Sequence, residues 1–319
     1  MGHVIALSGG VGGAKLACGL ARVLAPEDLT LVVNTGDDFD HLGLRVCPDI
    51  DSVAYAMAGL SDRERGWGLA GETWGFMTAL KRLGGTDWFN LGDHDLAMHV
   101  ERTRRLAAGQ TLSQATADLT RALGLRHTIV PMSDDPVRTF VETDAGRLAF
   151  QEYFVRERCA PRVRSLDYVG AETARPASAL MAALARPDLD AIVICPSNPY
   201  LSVDPILALP GVTEAIRRAH APCVAVSPIV GGQALKGPAA KLMAELGAQA
   251  SGLGIAAHYR GLIDGLVIDS RDAAEAAALE GQGLAVLAVP SVMITDEDRA
   301  RLARDCLGFA RRLAPAEAL

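Results

Sequence analysis

Short apolar runs alternate along the chain with longer segments whose apolar residues recur at helical spacing. Runs rich in Val, Ile, Leu and Ala, bounded by glycine, proline or polar residues, are typical of buried parallel strands. The clearest ones are residues 3–7, 31–33, 127–131, 191–195, 223–226, 265–268 and 284–289. The alternation predicts an α/β fold with a Rossmann-like, mainly parallel sheet flanked by helices, the last of them over residues 296–313.

One stretch breaks this alternation. Residues 139–143 and 147–155 alternate apolar and polar positions around a turn at residues 144–146, which predicts an antiparallel hairpin. We therefore expect a β-rich insertion over residues 137–169 within a single α/β domain that spans residues 1–319. A chain of 319 residues with 50% hydrophobic content is long enough to bury the large core of such a domain.

A cluster of carboxylates follows the second predicted strand. Five aspartates lie within fifteen residues: Asp37, Asp38, Asp40, Asp49 and Asp51. Carboxylates this close repel one another unless a positive group lies among them, and Mg²⁺ held by one or two carboxylates and substrate phosphates is the ordinary solution. The alternative is a solvated loop in which Asp51 only caps the next helix. This stretch alone leaves both open.

A glycine-rich loop, residues 8–15, joins the first strand to the first helix. A loop in this position directs backbone N–H groups and a helix N-terminus toward an anion. It is not a Walker loop, and the dinucleotide fingerprint would need glycine at Lys15 and an acidic residue at Asn34. Only four lysines occur in the chain, and two of them, Lys15 and Lys236, lie in glycine-rich loops. Phosphate binding is therefore the favoured function of these loops.

A second acidic segment, residues 93–95, precedes a predicted helix. Asp93, His94, Asp95 and His99 include the ligand types of a metal site, although Asp95 as a helix N-cap and His99 as an ordinary helix residue is the more common outcome. A capping box at residues 111–114 predicts a further helix.

Charge and composition narrow the function. A net charge of −7 argues against nucleic-acid and anionic-membrane partners, and six scattered cysteines suggest neither a zinc site nor disulfides. The N-terminal residues have no basic region, and no run of eighteen apolar residues occurs. We expect a soluble, cytoplasmic protein that acts on small molecules.

The motifs, in their order along the chain, resemble the 2-phospho-L-lactate transferase family, called phosphoenolpyruvate transferase in bacteria. The resemblance covers nearly the whole length and rests on residues 8–15, 33–38, 47–51, 67–68, 91–95 with His99, 131–136, 196–199 and 227–232. It implies a step of coenzyme F(420) biosynthesis. A phosphorylated three-carbon acid (phosphoenolpyruvyl, phospholactyl or phosphoglyceryl) passes from its guanosine diphosphate-linked form to the ribityl hydroxyl of the deazaflavin Fo, Mg²⁺ is required, and GMP leaves. Homodimers are also implied.

The resemblance assigns roles to individual residues. Asp37 and Asp51 match the acidic positions at the metal and the Fo hydroxyl, so we expect both to be catalytic and to bind Mg²⁺. Asp51 and His94 match Fo contacts, although many relatives have Arg or Lys where His94 stands. The expected phosphate- and nucleotide-binding residues are Gly9, Gly10, Gly12, Gly13, Lys15, Ser197, Asn198, Gly231, Gly232 and Lys236.

Two functions from other classes remain as alternatives. A non-catalytic, nucleotide-sugar-binding regulator of related fold shares a glycine-rich start but has no obvious need for the acidic pair Asp37 and Asp51. A nicotinamide-dependent dehydrogenase would need the dinucleotide fingerprint that the chain lacks.

Overall fold

The computed structural model describes residues 2–62 and 64–314. The described residues form these strands: β1 (His3–Ser8), β2 (Leu29–Val33), β3 (Phe39–His41), β4 (Leu44–Val46), β5 (Thr128–Pro131), β6 (Arg138–Thr143), β7 (Gly146–Ala149), β8 (Val163–Val169), β9 (Leu189–Ile194), β10 (Cys223–Val226), β11 (Ile229–Val230), β12 (Gln233–Ala234), β13 (Gly265–Asp269) and β14 (Ala285–Val289). Residues 1, 63 and 315–319 of the predicted domain range lie outside this description.

The helices of the described residues are α1 (Gly10–Val23), α2 (Pro48–Met57), α3 (Gly75–Arg82), α4 (Asp93–Ala107), α5 (Leu112–Ala122), α6 (Ser178–Leu184), α7 (Asp204–Leu207), α8 (Val212–Arg218), α9 (Ala239–Glu245), α10 (Gly252–His258), α11 (Ala276–Glu280) and α12 (Asp296–Leu313). Short 3₁₀ turns cover Pro26–Asp28 and Ser270–Glu275, and π turns cover Glu152–Arg156 and Pro199–Val203. None of the described helices is long and apolar enough to cross a membrane.

A seven-stranded sheet in the order β14-β13-β10-β9-β1-β2-β5 forms the centre of the fold, and all its neighbouring pairs are parallel. Every residue of β1, β2, β10 and β13 is buried, because apolar layers cover both faces. One layer includes Leu16 of α1 and Leu302 of α12, and the other includes Leu180 of α6 and Ile255 of α10. The predicted Rossmann-like α/β class is confirmed.

The β-rich insertion is present, with β6 pairing antiparallel to both β7 and β8. The second arm of the predicted hairpin is shorter than expected, because β7 ends at Ala149 and the chain then enters the π turn Glu152–Arg156. Tyr153 in this turn is fully buried, and its hydroxyl accepts from Lys241 Nζ of α9 at 3.2 Å. The alternating pattern over residues 150–155 thus reflects packing of a turn against α9, not strand pairing.

The predicted N-cap of α4 is wrong. The helix begins at Asp93 with Gly92 as N-cap, so Asp95 is not the cap. The Glu72 carboxylate accepts the backbone N–H groups of His94 at 2.8 Å and Asp95 at 2.7 Å. A carboxylate from another segment therefore caps α4.

The packing of α1 on α12 gives a test of the fold. A Cβ atom added at Gly19 of α1 would lie 2.1 Å from the carbonyl oxygen of Arg299, whereas one added at Gly308 of α12 would meet only a guanidinium nitrogen at 3.9 Å. We expect Gly19→Ala to destabilise the fold by about 1–3 kcal/mol through overpacking, and Gly308→Ala to be neutral or stabilising by up to about 1 kcal/mol through helix propensity. Urea unfolding of both variants is the measurement. Equal effects of the two substitutions would contradict this account of the interface.

Candidate functional site

Four aspartates from the predicted acidic loop are buried together at the carboxyl end of β2. Asp37 and Asp38 lie in the loop that follows that strand, which ends at Val33, and Asp49 and Asp51 lie in the first turn of α2, whose N-cap is Cys47. None of the four is more than 7% exposed. The solvated-loop alternative is therefore wrong, and Asp51 is not a helix cap.

Asn34 holds two of these carboxylates at the end of β2. Its Nδ2 donates to Asp49 Oδ2 at 2.9 Å and to Asp37 Oδ1 at 3.2 Å, and also to the carbonyl of Leu201 at 3.2 Å. Burial raises the pKa of Asp37 well above its usual range, and the neighbouring Asp49 and Asp38 raise it further. Burial also raises the pKa of Asp49 to about 6. Because Asn34 contributes no charge, this part of the pocket favours either protonation or an added cation.

The glycine loop predicted over residues 8–15 is wrong in extent, because β1 ends at Ser8, Gly9 is the N-cap of α1, and the helix begins at Gly10. The name glycine loop is kept here for residues 9–13, which contact the acidic pocket. Asp49 Oδ1 accepts the backbone N–H of Gly10 at 2.6 Å, so the carboxylate already holds one N–H that the sequence assigned to a phosphate. Gly9 donates to Ser197 Oγ at 3.1 Å, and Ser197 donates back to the Gly9 carbonyl at 2.8 Å. A Cβ atom at Gly12 would lie 2.4 Å from the Pro196 carbonyl oxygen. The loop at residues 196–198 therefore packs against the glycine loop.

Asp51 belongs to a second group, which is built mainly by α4. Arg102 donates to Asp51 Oδ1 from deep inside the protein. His99 Nδ1 lies 3.6 Å from Asp51 Oδ2, and His99 Nε2 lies 3.3 Å from Asp95 Oδ2. Tyr55 of α2 donates to Asp95 Oδ1 at 2.5 Å. Burial raises the pKa of Asp51, and the positive charge of Arg102 opposes that rise.

Asp51, Asp95 and His99 can together hold a metal ion, since one ligand atom from each lies within 4.8 Å of the others. The residues fit a divalent cation, because Asp51 Oδ2 and His99 Nε2 are buried and have no hydrogen-bond partner in the described part of the chain. The sequence analysis predicts Asp51 as a metal ligand, whereas it favours ordinary helix roles for Asp95 and His99. Asp37 lies in the Asn34 group, and its role as a ligand stays a prediction.

Lys15 of α1 and the exposed Lys236 lie close enough for their charges to interact. Lys15 Nζ donates to the Met293 carbonyl at 2.9 Å. Partial burial lowers the pKa of Lys15, and the positive charges of Lys236 and Arg299 lower it further. Repulsion between these cations is relieved by an anion, which is consistent with a phosphate between Lys15 and Lys236.

Several other residues that were predicted to bind substrate make contacts within the protein. Asn198 Oδ1 accepts from the N–H groups of Tyr200 at 3.0 Å and Leu201 at 3.2 Å and so caps the π turn Pro199–Val203. Gly231 and Gly232 form the tight turn between β11 and β12, with φ of 60° and 73°. The His94 side chain is 64% exposed, and its Nδ1 lies 3.4 Å from Glu72 Oε2. Contact between His94 and Fo remains a prediction.

Asn34, Asp49 and Arg102 are among the site residues to which the sequence analysis assigns no role. For Arg102 a signal existed, since Asp95, His99 and Arg102 occur at positions i, i+4 and i+7 and therefore share one helix face. A polar stripe of this kind on a buried face indicates a polar site. For Asn34 and Asp49 the contacts depend on the fold of residues 34–51, which spacing alone does not reveal.

The parallel sheet, the glycine loop and the polar pocket at the carboxyl edge define a Rossmann-like α/β protein with its site where such sheets bind ligands. The chain belongs to a family described as 2-phospho-L-lactate transferase CofD, which matches residues 4–292. This membership makes it a transferase and confirms the family resemblance of the motifs.

Individual relatives agree with this assignment. A phosphoenolpyruvate transferase from Kitasatospora aureofaciens is 42% identical over 318 residues and covers 98% of both chains. A 2-phospho-L-lactate transferase from Methanosarcina mazei is 37% identical over 300 residues, which are 94% of this chain and 98% of the relative. Among solved structures, a protein of the UPF0052 family from Bacillus halodurans has a TM-score of 0.63 at 16% identity, covering 96% of this chain and 98% of that one. That similarity shows the shared fold alone.

The double role of Asp49 gives a test of the site. Its two oxygens accept from different donors, Gly10 N–H and Asn34 Nδ2, so Asp49→Asn would place an N–H against one of them. We expect a loss of about 1–3 kcal/mol in unfolding free energy and faster amide exchange over residues 9–13.

Asp264→Asn is the control, because the one side-chain hydrogen bond of Asp264 among the described residues is accepted by Oδ2 from the Cys223 N–H, and an asparagine carbonyl can still accept it. Unchanged exchange over residues 9–13 in the Asp49 variant would show that the carboxylate does not hold the loop.

Proposed function

We propose that this chain transfers a phosphorylated three-carbon acid from its guanosine diphosphate-linked form to the terminal ribityl hydroxyl of Fo, a step of coenzyme F(420) biosynthesis. The observation that carries the proposal is that Asp49 connects a negatively charged environment to a positively charged one. Its carboxylate links the buried acidic pocket to the glycine loop, beside which Lys15 lies. A diphosphate substrate and a cation need these two environments next to each other.

The reaction requires one bond to form and one to break. The Fo hydroxyl oxygen attacks the phosphorus atom that carries the three-carbon acid, the bond from that phosphorus to the GMP oxygen breaks, and GMP takes the electron pair. A phosphodiester joins the acid to Fo. The hydroxyl proton passes to Asp51, whose Oδ2 has no hydrogen-bond partner among the described residues.

The other groups position and neutralise charge. Lys15 and Lys236 hold the diphosphate, with the N-terminus of α1 facing the same anion. Asp37 and Asp51 would hold Mg²⁺, with Asp95 and His99 as neighbouring ligands available to the same ion, which would supply charge neutralisation at the transferred phosphate. Ser197 and Asn198 are assigned to the guanosine diphosphate end, and His94 to Fo.

A non-catalytic nucleotide-binding regulator remains the competing function, and buried charge argues against it. Asp37, Asp38, Asp49 and Asp51 are all buried, and desolvated carboxylates are costly unless they serve a ligand or a reaction. Phosphate binding alone gains nothing from four of them. We further propose a cytoplasmic homodimer, as the family resemblance implies, and leave the three-carbon acid open.

The deciding experiment is mass spectrometry of the product. The purified chain is incubated with Fo, GTP, Mg²⁺, a partner guanylyltransferase and one candidate phospho-acid at a time. We expect one acid to give an Fo phosphodiester together with GMP. Binding of the guanylated acid without any product from Fo would favour the regulator.

Removal of the metal or of either catalytic carboxylate tests the mechanism. We expect EDTA to abolish turnover, and Asp37→Asn and Asp51→Asn each to lower kcat by at least about a hundredfold, because each removes charge from a transition-state contact. Steady-state kinetics with a Mg²⁺ titration is the measurement, and thermal unfolding of each variant shows whether the loss exceeds the folded fraction. Full activity of both variants in EDTA would exclude the metal assignment.

Lys15→Ala tests which substrate the glycine loop binds. We expect KM for the guanosine diphosphate-linked substrate to rise about tenfold or more with KM for Fo little changed, since a charge-assisted phosphate contact is lost and Fo has no phosphate. Lys81→Ala is the matched control, because Lys81 is 76% exposed on α3 and pairs with Asp87. An effect limited to the Fo constant would reverse the two ends of the site.

A further inference from the structure

Arg102 is unusual because it is an arginine buried in the protein interior. It lies in α4 and is 1% exposed, and it is among the largest fully buried side chains of the described chain. A guanidinium group loses much of its hydration free energy when it is buried. Replacing such a group and its partner by apolar residues of similar volume often leaves the protein no less stable. Its presence in this core therefore calls for a reason other than packing.

The guanidinium makes contacts in three directions. Nη2 donates to Asp51 Oδ1. Nη1 donates to the carbonyl of Arg45 at 3.2 Å and lies 3.3 Å from His99 Nδ1. The Arg45 carbonyl belongs to the backbone of β4, and His99 lies on α4 with Arg102. The planar guanidinium is therefore fixed to two separate elements, β4 and α4.

The two oxygens of Asp51 are consequently different. Oδ1 is bound to Arg102 from inside the protein, whereas Oδ2 is buried and has no hydrogen-bond partner within residues 2–62 and 64–314. The two oxygens of a carboxylate are equivalent, so a half turn only restores the same arrangement, whereas any smaller rotation would break the contact with Arg102. The guanidinium thus selects one rotational state of the Asp51 carboxylate.

We propose that Arg102 is a positioning residue of the transfer reaction, which holds Asp51 by Oδ1 so that Oδ2 faces the acceptor hydroxyl. The proposal rests on the proposed function, in which Asp51 receives the proton of that hydroxyl. Arg102 itself touches no substrate. Its loss acts through the direction of the Asp51 carboxylate, and a displacement of about 1 Å at a reacting group can reduce the rate about a hundredfold.

The experiment compares Arg102→Met, Arg102→Lys and a control, Arg105→Met. Arg105 lies on the same helix and pairs with Glu101 and Asp118 outside the acidic pocket. We expect Arg102→Met to lower kcat about thirtyfold to a hundredfold with little change in KM for the guanosine diphosphate-linked substrate. Arg102→Lys keeps the charge but not the forked geometry, so we expect it to recover part of kcat. Arg105→Met is expected to keep the wild-type kcat.

A structural role alone would lower the melting temperature and the folded fraction without changing kcat per folded molecule. Wild-type kcat in folded Arg102→Met, or in Arg102→Lys if the Met variant does not fold, would overturn the proposal. A crystal structure of the Lys variant provides a readout independent of activity, in which we expect a rotated Asp51 carboxylate. If the wild-type chain forms no product from Fo, the proposed function fails, and an unrotated Asp51 in that structure would separately overturn the role of Arg102.

Discussion

The desolvation of four carboxylates at one edge of the sheet is the constraint on which the site depends. Asp37, Asp38, Asp49 and Asp51 are buried with few positive groups to balance them, and burial raises the pKa of Asp38 to about 7. Proteins rarely accept such an arrangement unless hydrogen bonds or ligands compensate it. Two forms of compensation occur in this pocket, a neutral amide for Asp37 and Asp49 and a cation for Asp51, and this difference separates their roles.

The compensation divides the pocket into two halves. In one half, the neutral amide of Asn34 and the backbone of Gly10 bind Asp37 and Asp49, so negative charge is solvated but not cancelled. In the other half, the cation Arg102 binds Asp51. The first half therefore has no counter-charge of its own, whereas in the second half Arg102 fixes the Asp51 carboxylate beside the possible metal ligands Asp95 and His99. Because Asp49 also accepts the Gly10 N–H, a movement of this carboxylate would disturb the start of α1.

The parallel sheet was predictable because its strands are fully buried, and burial on both faces leaves a continuous apolar run in the sequence. The acidic loop and glycine loop could be found for a related reason, since both follow such runs directly. Arg102 and Asn34 were not assigned, because their roles come from contacts between segments that are distant in the chain or folded back on themselves. Glu72 shows the same limit, as its capping of α4 across 22 residues has no local pattern.

The position of β1 has a consequence for the synthesis of the chain. This strand pairs with β2 on one side and with β9 on the other, and about 160 residues separate the end of β2 at Val33 from that of β9 at Ile194. At typical translation speeds of roughly 5–20 residues per second, the second partner follows the first by roughly 8–32 s. During that interval one edge of this mainly apolar strand is unpaired in the nascent chain, which is the kind of surface that chaperones bind and that otherwise leads to aggregation.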